Sequence, residues 1–142
     1  MLLFHYMKYL IAVFLFSGAL MANLIIDQRQ QSMQNFKNHM KTASNLINEG
    51  IINEELADVY DQIAALMTEY PTLFPDNSFE GKTRASSNII AERVKFNQLA
   101  EDVARQASLA KSASLSKDIP ALQQAHQNLF SSCKSCHSRY QR

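Results

Sequence analysis

The sequence predicts an all-α protein, an antiparallel four-helix bundle. Three observations carry this. The 142 residues hold only three glycines and three prolines, which leaves long stretches without helix breakers. Apolar and small residues recur at helical spacing from Ile26 to Tyr140, with no useful run of strand-like alternation. The breaks between the periodic segments are two short connections and one longer loop, the pattern of neighbouring antiparallel helices.

The chain opens with MLLFHYMKYLIAVFLFSGALMAN, in which Lys8 precedes an apolar run followed by Ser17-Gly18-Ala19 and Ala22. This is the layout of a secretory signal peptide, which assigns residues 1–22 to a leader cut near 19–22 and residues 23–142 to the domain. The rival reading is an uncleaved anchor to the inner membrane, although Gly18 and Asn23 interrupt the apolar run and make it short for a span.

In the first helix Ile26, Met33, Met40 and Ile47 repeat every seven residues, with Arg29, Phe36 and Ala43 between them, and Gly50 ends it. Asn53 caps the second, with Glu54 and Glu55 in the first turn where negative charge suits the helix dipole. Its stripe is Leu56, Val59, Tyr60, Ile63, Leu66, Met67 and Tyr70, and Pro71 stops it. PTLFPDNSFEGKTRASS is the long loop. The third helix starts near Ser86 or Ser87 and carries Ile89, Arg93, Phe96, Ala100, Val103, Ala107 and Ala110. Asp118 caps the fourth, whose stripe is Leu122, Ala125, Leu129, Phe130, Cys133, Cys136 and Tyr140.

Fourteen basic and thirteen acidic residues nearly cancel. The basic ones are scattered along the sequence, so a nucleic-acid partner is excluded and no charged docking patch is legible. The only two cysteines lie in CKSCHSRYQR at the chain end, so no disulfide framework supports the fold.

Positions i and i+3 of a helix share a face and i+4 sits beside them. Cys133 and Cys136 can therefore both reach one haem, with His137 placing its imidazole on the iron. C-x-x-C-H is the signature of c-type haem attachment, and an exported chain supplies the compartment that attachment needs. A zinc site would need a fourth ligand from His39 or His126. A redox dithiol belongs at a helix start after a strand rather than near a helix end. Both fit less well, as does a motif without chemistry.

With IIDQRQQSMQNFKNHM near the start, LFPDNSFEGKTRAS before the third helix and FSSCKSCHSRY at the end, the mature chain resembles the class II c-type cytochromes, the cytochrome c′ family with its low-spin, Met-ligated members. The resemblance implies one covalently attached haem c per chain, with Cys133 and Cys136 as thioether anchors and His137 as proximal iron ligand. It places Arg29, and more weakly Gln30, at a haem propionate. It puts Met33 on the distal face, either as sixth ligand or only blocking that side. Two departures stand out: the chain has no Trp early in the third helix, and Gln141 occupies the position four after His137 where a basic residue is usual.

On a stripe with Ile26 and Met40, Met33 also reads as core filler, whereas a buried Arg29 needs an anion. The expected function is a soluble periplasmic protein that is not an enzyme and carries single electrons between redox proteins. The alternative is a five-coordinate haem that binds NO or CO. The family also suggests a homodimer through the first two helices.

Overall fold

The computed structural model describes the backbone of residues 2–142 and side chains from residue 22 onward. Apart from Ala22, the leader expected over residues 1–22 lies outside the residues whose side chains are described. The elements are α1 (Leu2–Asn48), α2 (Glu54–Glu69), a 3-10 turn (Tyr70–Leu73), the single turn α3 (Asn88–Ala91), α4 (Arg93–Ser116) and α5 (Ile119–Tyr140). Helices α1, α2, α4 and α5 form the bundle. Among the described residues no helix is long and apolar enough to cross a membrane.

Each boundary has a local cause. At the end of α1 the Ile51 amide bonds the Leu46 carbonyl at 2.8 Å and Gly50 N–H the Ile47 carbonyl at 3.1 Å, with Gly50 at φ +73° supplying the left-handed residue this closure requires. Asn53 caps α2 by accepting from the Glu55 amide at 3.0 Å, as its position predicts. The same closure ends α4: Asp118 N–H reaches Ala113 at 2.9 Å, but here the left-handed residue is Lys117, at φ +57°. Asp118 then caps α5, its carboxylate accepting from Ala121 N–H at 3.1 Å.

The third helix differs from its expected form. One turn, Asn88–Ala91, is set off from α4 by Glu92 at φ −116°, ψ +31°. The break lets Glu92 turn toward the end of α5, where Arg139 and Tyr140 hold it. Arg93, expected on the buried stripe, instead reaches sideways to Asp76 at 2.8 Å.

Burial follows the predicted stripes closely. Phe36, Met40, Ala43 and Leu46 of α1 meet Leu56, Tyr60 and Ile63 of α2, Ala100, Val103, Ala107 and Ala110 of α4, and Leu122, Ala125 and Leu129 of α5 in one core. The alanines keep the inner face of α4 thin, and α2 and α5 both pack closely against it. α1 packs on α2. Among the described residues α1 and α5 have no comparable backbone packing, so their seam is the loosest in the ring.

Phe130 departs from the expected stripe. Residues 122, 125, 129, 133, 136 and 140 form the inner row, and Phe130 sits a third of a turn away, 53% exposed, edge-on to the His126 ring at 5.1 Å. A second, aromatic core closes the end of the bundle that carries the C-x-x-C-H. Phe74, Phe79, Ile89, Phe96 and Tyr140 form it, with Phe96 edge-on to Tyr140 at 5.3 Å and to Phe74 at 4.8 Å.

Candidate functional site

Cys133 and Cys136 lie one helical turn apart near the end of α5, both half-buried free thiols. Cys133 packs against the main core and Cys136 against the aromatic one, so the pair spans the junction of the two. Burial pushes both thiols up from the ordinary cysteine range, which keeps them protonated rather than poised as thiolates. That environment is unlike a redox dithiol, whose attacking sulfur is depressed. His137, next on the helix, is exposed.

From α1, Arg29 reaches the same end of the bundle. It is 4% exposed. Its Nη2 donates to the Ser78 carbonyl, and its guanidinium lies over the Phe74 ring at 4.6 Å and near that of Phe79 at 5.6 Å. Nε and Nη1 have no hydrogen-bond partner. Desolvation lowers its pKa, the direction expected of a cation out of water without a counter-charge. Buried, unmatched N–H groups on a cation are costly, and an anion beside them would relieve that cost.

Met33 stands one turn further along α1, half-buried against the main core. Gln30 points elsewhere: it is exposed, and its Nε2 donates to the Lys82 carbonyl at 3.0 Å, fastening the long loop to α1.

Tyr70 is the site residue that sequence reasoning left unassigned. It packs against both cores and lies edge-on to Phe74 at 5.1 Å. Burial raises its phenol pKa, a nearby Cys136 raises it further and a nearby Arg29 lowers it. Tyr70 therefore stands between the α1 and α5 halves of the site. Its signal in sequence was its place at the end of the α2 stripe, just before Pro71.

The chain terminus is sewn onto this end. Arg139 forks onto Glu92 at 2.5 and 2.8 Å, and the Tyr140 hydroxyl donates to the same carboxylate at 2.9 Å, which holds Glu92 below the usual carboxylate range. Ala85 and Gln141 form an isolated β-bridge. The Gln141 amide closes α5 on the His137 carbonyl at 3.0 Å. Where a basic residue four after His137 was expected, this chain uses Gln141 as a backbone cap, and the nearby cation is Arg139.

The residues fit a flat, dianionic, covalently held cofactor. Two thiols stand one turn apart on one helix, a buried arginine on the other side lacks partners for two N–H groups, and the seam between α1 and α5 is loosely packed. Among the described residues no three His, Cys, Asp or Glu side chains converge as a metal cluster. His126, one of the two candidates for the fourth ligand of a zinc site, is engaged by Tyr60 and Ser44.

A helical bundle with a single C-x-x-C-H closing its last helix defines the class of bundle c-type cytochromes. Comparison with known proteins makes this particular: residues 24–141 match the family model for cytochrome C′, and the chain belongs to that family. It shares 26% identity over 117 residues with cytochrome c′ of Pararhodospirillum photometricum, covering 81% of this chain and 94% of the relative. Among solved structures it is similar to cytochrome c prime from Shewanella frigidimarina, with TM-score 0.75, 22% identity, and 85% and 96% of the two chains covered. It also resembles the structural model of oxidized cytochrome c556 of R. palustris, with TM-score 0.65, 26% identity, and 83% and 95% covered. The chain is accordingly a haem protein, with one covalently attached haem c.

Proposed function

We propose that this protein carries single electrons between periplasmic redox proteins, with Cys133 and Cys136 forming the two haem thioethers, His137 the proximal iron ligand and Met33 the sixth. Haem, when bound, supplies a one-electron iron couple. The chain's own residues do the rest. The thioether pair on a single turn fixes the cofactor to a rigid helix, and Arg29 neutralises a propionate that would otherwise be costly to bury. The two cores limit rearrangement between oxidation states.

The observation that carries this reading is Arg29, a cation 4% exposed with two unpartnered N–H groups. It stands one turn before Met33 on α1, which ties the expected distal residue to the expected propionate contact. His/Met ligation raises an iron potential into the range of electron carriers.

A second reading has a specific observation behind it. Met33 packs against the apolar core, so it can shield the distal face without reaching iron. The site would then admit small uncharged molecules such as NO or CO. The first measurement is the visible spectrum of the dithionite-reduced protein before and after CO. A low-spin spectrum indifferent to CO supports the electron carrier, and a high-spin spectrum that shifts with CO transfers the function to gas binding.

Export through the leader is part of the proposal, as is a homodimer through α1 and α2. The outward faces available to that dimer are polar, with Lys37 and Lys41 on α1 and Asp58 on α2, all exposed, so its contacts would be ion pairs more than apolar burial.

A further inference from the structure

A near balance of formal charge conceals its separation along the bundle. At the end remote from the C-x-x-C-H, the start of α2 and the turns beside it gather Glu49, Glu54, Glu55, Asp58 and Asp118, all exposed, against Lys117 and, further back on α1, Lys41, while Asp61 is paired with Lys111. Around the C-x-x-C-H the balance reverses. Lys82, Arg84, Lys95, Lys134 and Arg142 are exposed there, and among the described residues none is in an ion pair. Of the acids at this end, Asp76 and Glu92 are taken by Arg93 and Arg139, which leaves Asp27, Glu69 and Glu80.

The fold assembles this rim from distant segments. Arg142 N–H bonds the Arg84 carbonyl at 2.7 Å, and Arg84 Nε the Arg142 carbonyl at 3.2 Å. Arg142 Nη2 also donates to the Phe79 carbonyl at 3.1 Å. The Arg142 guanidinium is held in place by a neutral backbone carbonyl, so it is positioned while its charge stays uncompensated. Lys95 lies within reach of the field at Glu92. Beside these cations two apolar side chains face solvent, Val94 at 71% and Ile90 at 40% exposure. They flank Glu92, which is bonded to Arg139 and Tyr140 just beyond His137.

An apolar centre with a rim of unpaired cations, next to the cofactor attachment point, is the form of a transient electrostatic docking surface. We propose that this end of the bundle docks the acidic face of a one-electron partner protein, and that the opposed acidic end orients the molecule during approach. The proposal rests on the electron-carrier reading and adds to it where, and to what chemistry, the partner binds.

The test uses the haem-loaded protein and two kinds of readout. The redox-inert paramagnetic trianion hexacyanochromate(III) should broaden amide resonances at Lys82, Arg84, Val94, Lys95 and Arg142. The trication hexaamminechromium(III) should broaden those at Glu54, Glu55 and Asp58. In stopped flow, the reduced protein gives one electron to ferricyanide, yielding ferric protein and ferrocyanide. Reversal of three rim charges together (Lys82→Glu, Lys95→Glu, Lys134→Glu) should slow this about tenfold at low salt. The matched set Arg105→Glu, Lys111→Glu and Lys117→Glu, of equal net charge, should slow it far less, and the difference should vanish at about 0.5 M salt. Equal slowing by the two sets, or broadening of both ends by the trianion, overturns the docking surface whatever the rate. Selective broadening of the rim without oxidation by ferricyanide leaves the cationic face standing and removes the electron-carrier reading.

Discussion

The hydroxyl of Tyr60 on α2 lies 2.7 Å from Nδ1 of His126 on α5, and the other ring nitrogen lies 3.1 Å from Ser44 Oγ on α1. Ser44 itself donates to the Met40 carbonyl at 2.9 Å. One proton arrangement satisfies every group: Tyr60 donates to Nδ1, Nε2–H donates to Ser44, and Ser44 donates to the backbone. It requires a neutral imidazole and ties three helices through one side chain, bridging the seam where α1 and α5 lack backbone packing. A protonated His126 would turn a second N–H toward the Tyr60 hydroxyl, which is fully buried.

Stability should therefore depend on pH through His126. Burial lowers its pKa in the folded protein, so below about 6.5, the ordinary histidine value, the unfolded chain binds the proton more readily than the native one. The stabilisation is complete above that pH and declines as pH falls toward the depressed folded value. Thermal melts followed by circular dichroism from pH 8 to 5 should show a progressive loss for the native sequence, and His126→Gln should flatten that part of the profile. A melting temperature that rises on acidification in the native sequence alone would refute the neutral assignment. Tyr60→Phe, which leaves Nδ1 without its donor, should cost about 1–2 kcal/mol.

Lys117 gives a prediction of opposite sign. It occupies the same left-handed closing position after α4 that Gly50 occupies after α1, with φ +57° against +73°. A side chain pays a steric penalty there that glycine avoids. Lys117→Gly should stabilise the protein by roughly 0.5–1 kcal/mol, read as a higher denaturant midpoint with unchanged slope.

These two sites mark the limits of what the sequence discloses. The stripes of α1, α2, α4 and α5 were legible because helical period and burial coincide, as in Leu56, Ile63, Leu122 and Leu129. The caps at Asn53 and Asp118 were legible because capping depends on a few neighbouring residues. The single turn α3 was not, because Glu92 breaks the helix to meet Arg139, 47 positions away, and no local pattern encodes a distant partner. Phe130 was assigned inward because it adjoins the stripe, yet one step round the helix separates it from the core. The candidate site divides the same way. Arg29, Met33 and the C-x-x-C-H are spacings within single helices, whereas Tyr70, the Ser78 carbonyl and the cationic rim exist only once the loop is folded onto α1 and α5.

Loss of both thiols should remove covalent cofactor. With Cys133→Ala and Cys136→Ala combined, the protein should lose all haem that survives acid-acetone extraction, and either single variant should retain a weakened attachment through the remaining sulfur. Denaturing gels stained for haem peroxidase activity read this directly. Haem persisting on the double variant would move the attachment away from α5.

Arg29 should tune the cofactor as well as hold it. In Arg29→Leu the aromatic contacts of Phe74 and Phe79 retain an apolar neighbour, but the positive charge beside the expected propionate is gone. The unneutralised carboxylate then favours ferric over ferrous iron, and the midpoint potential should fall, by about 60 mV if the effect is tenfold for one electron. Arg29→Lys keeps the charge without the fork and should recover part of the shift. A potential unchanged in Arg29→Leu would show that the two free N–H groups do not face the cofactor.

Met33 separates the two proposed functions. It is half-buried against the main core, one turn after Arg29, and an unbranched thioether suits both iron ligation and gap filling. The consequences of replacing it differ. If the sulfur binds iron, Met33→Ala opens the sixth position: the reduced spectrum turns from low-spin to high-spin, CO binds where it did not before, and the potential drops with loss of the thioether. If Met33 only shields the distal face, the native protein is already high-spin. The substitution then leaves the spin state alone and quickens CO association by widening the approach. A second variant, Met33→Leu, keeps the bulk and removes the ligand, so it should behave like Met33→Ala in the first case and like the native protein in the second. The pair of substitutions thus distinguishes coordination from occlusion even where the cavity left by alanine lowers stability by about 2–4 kcal/mol.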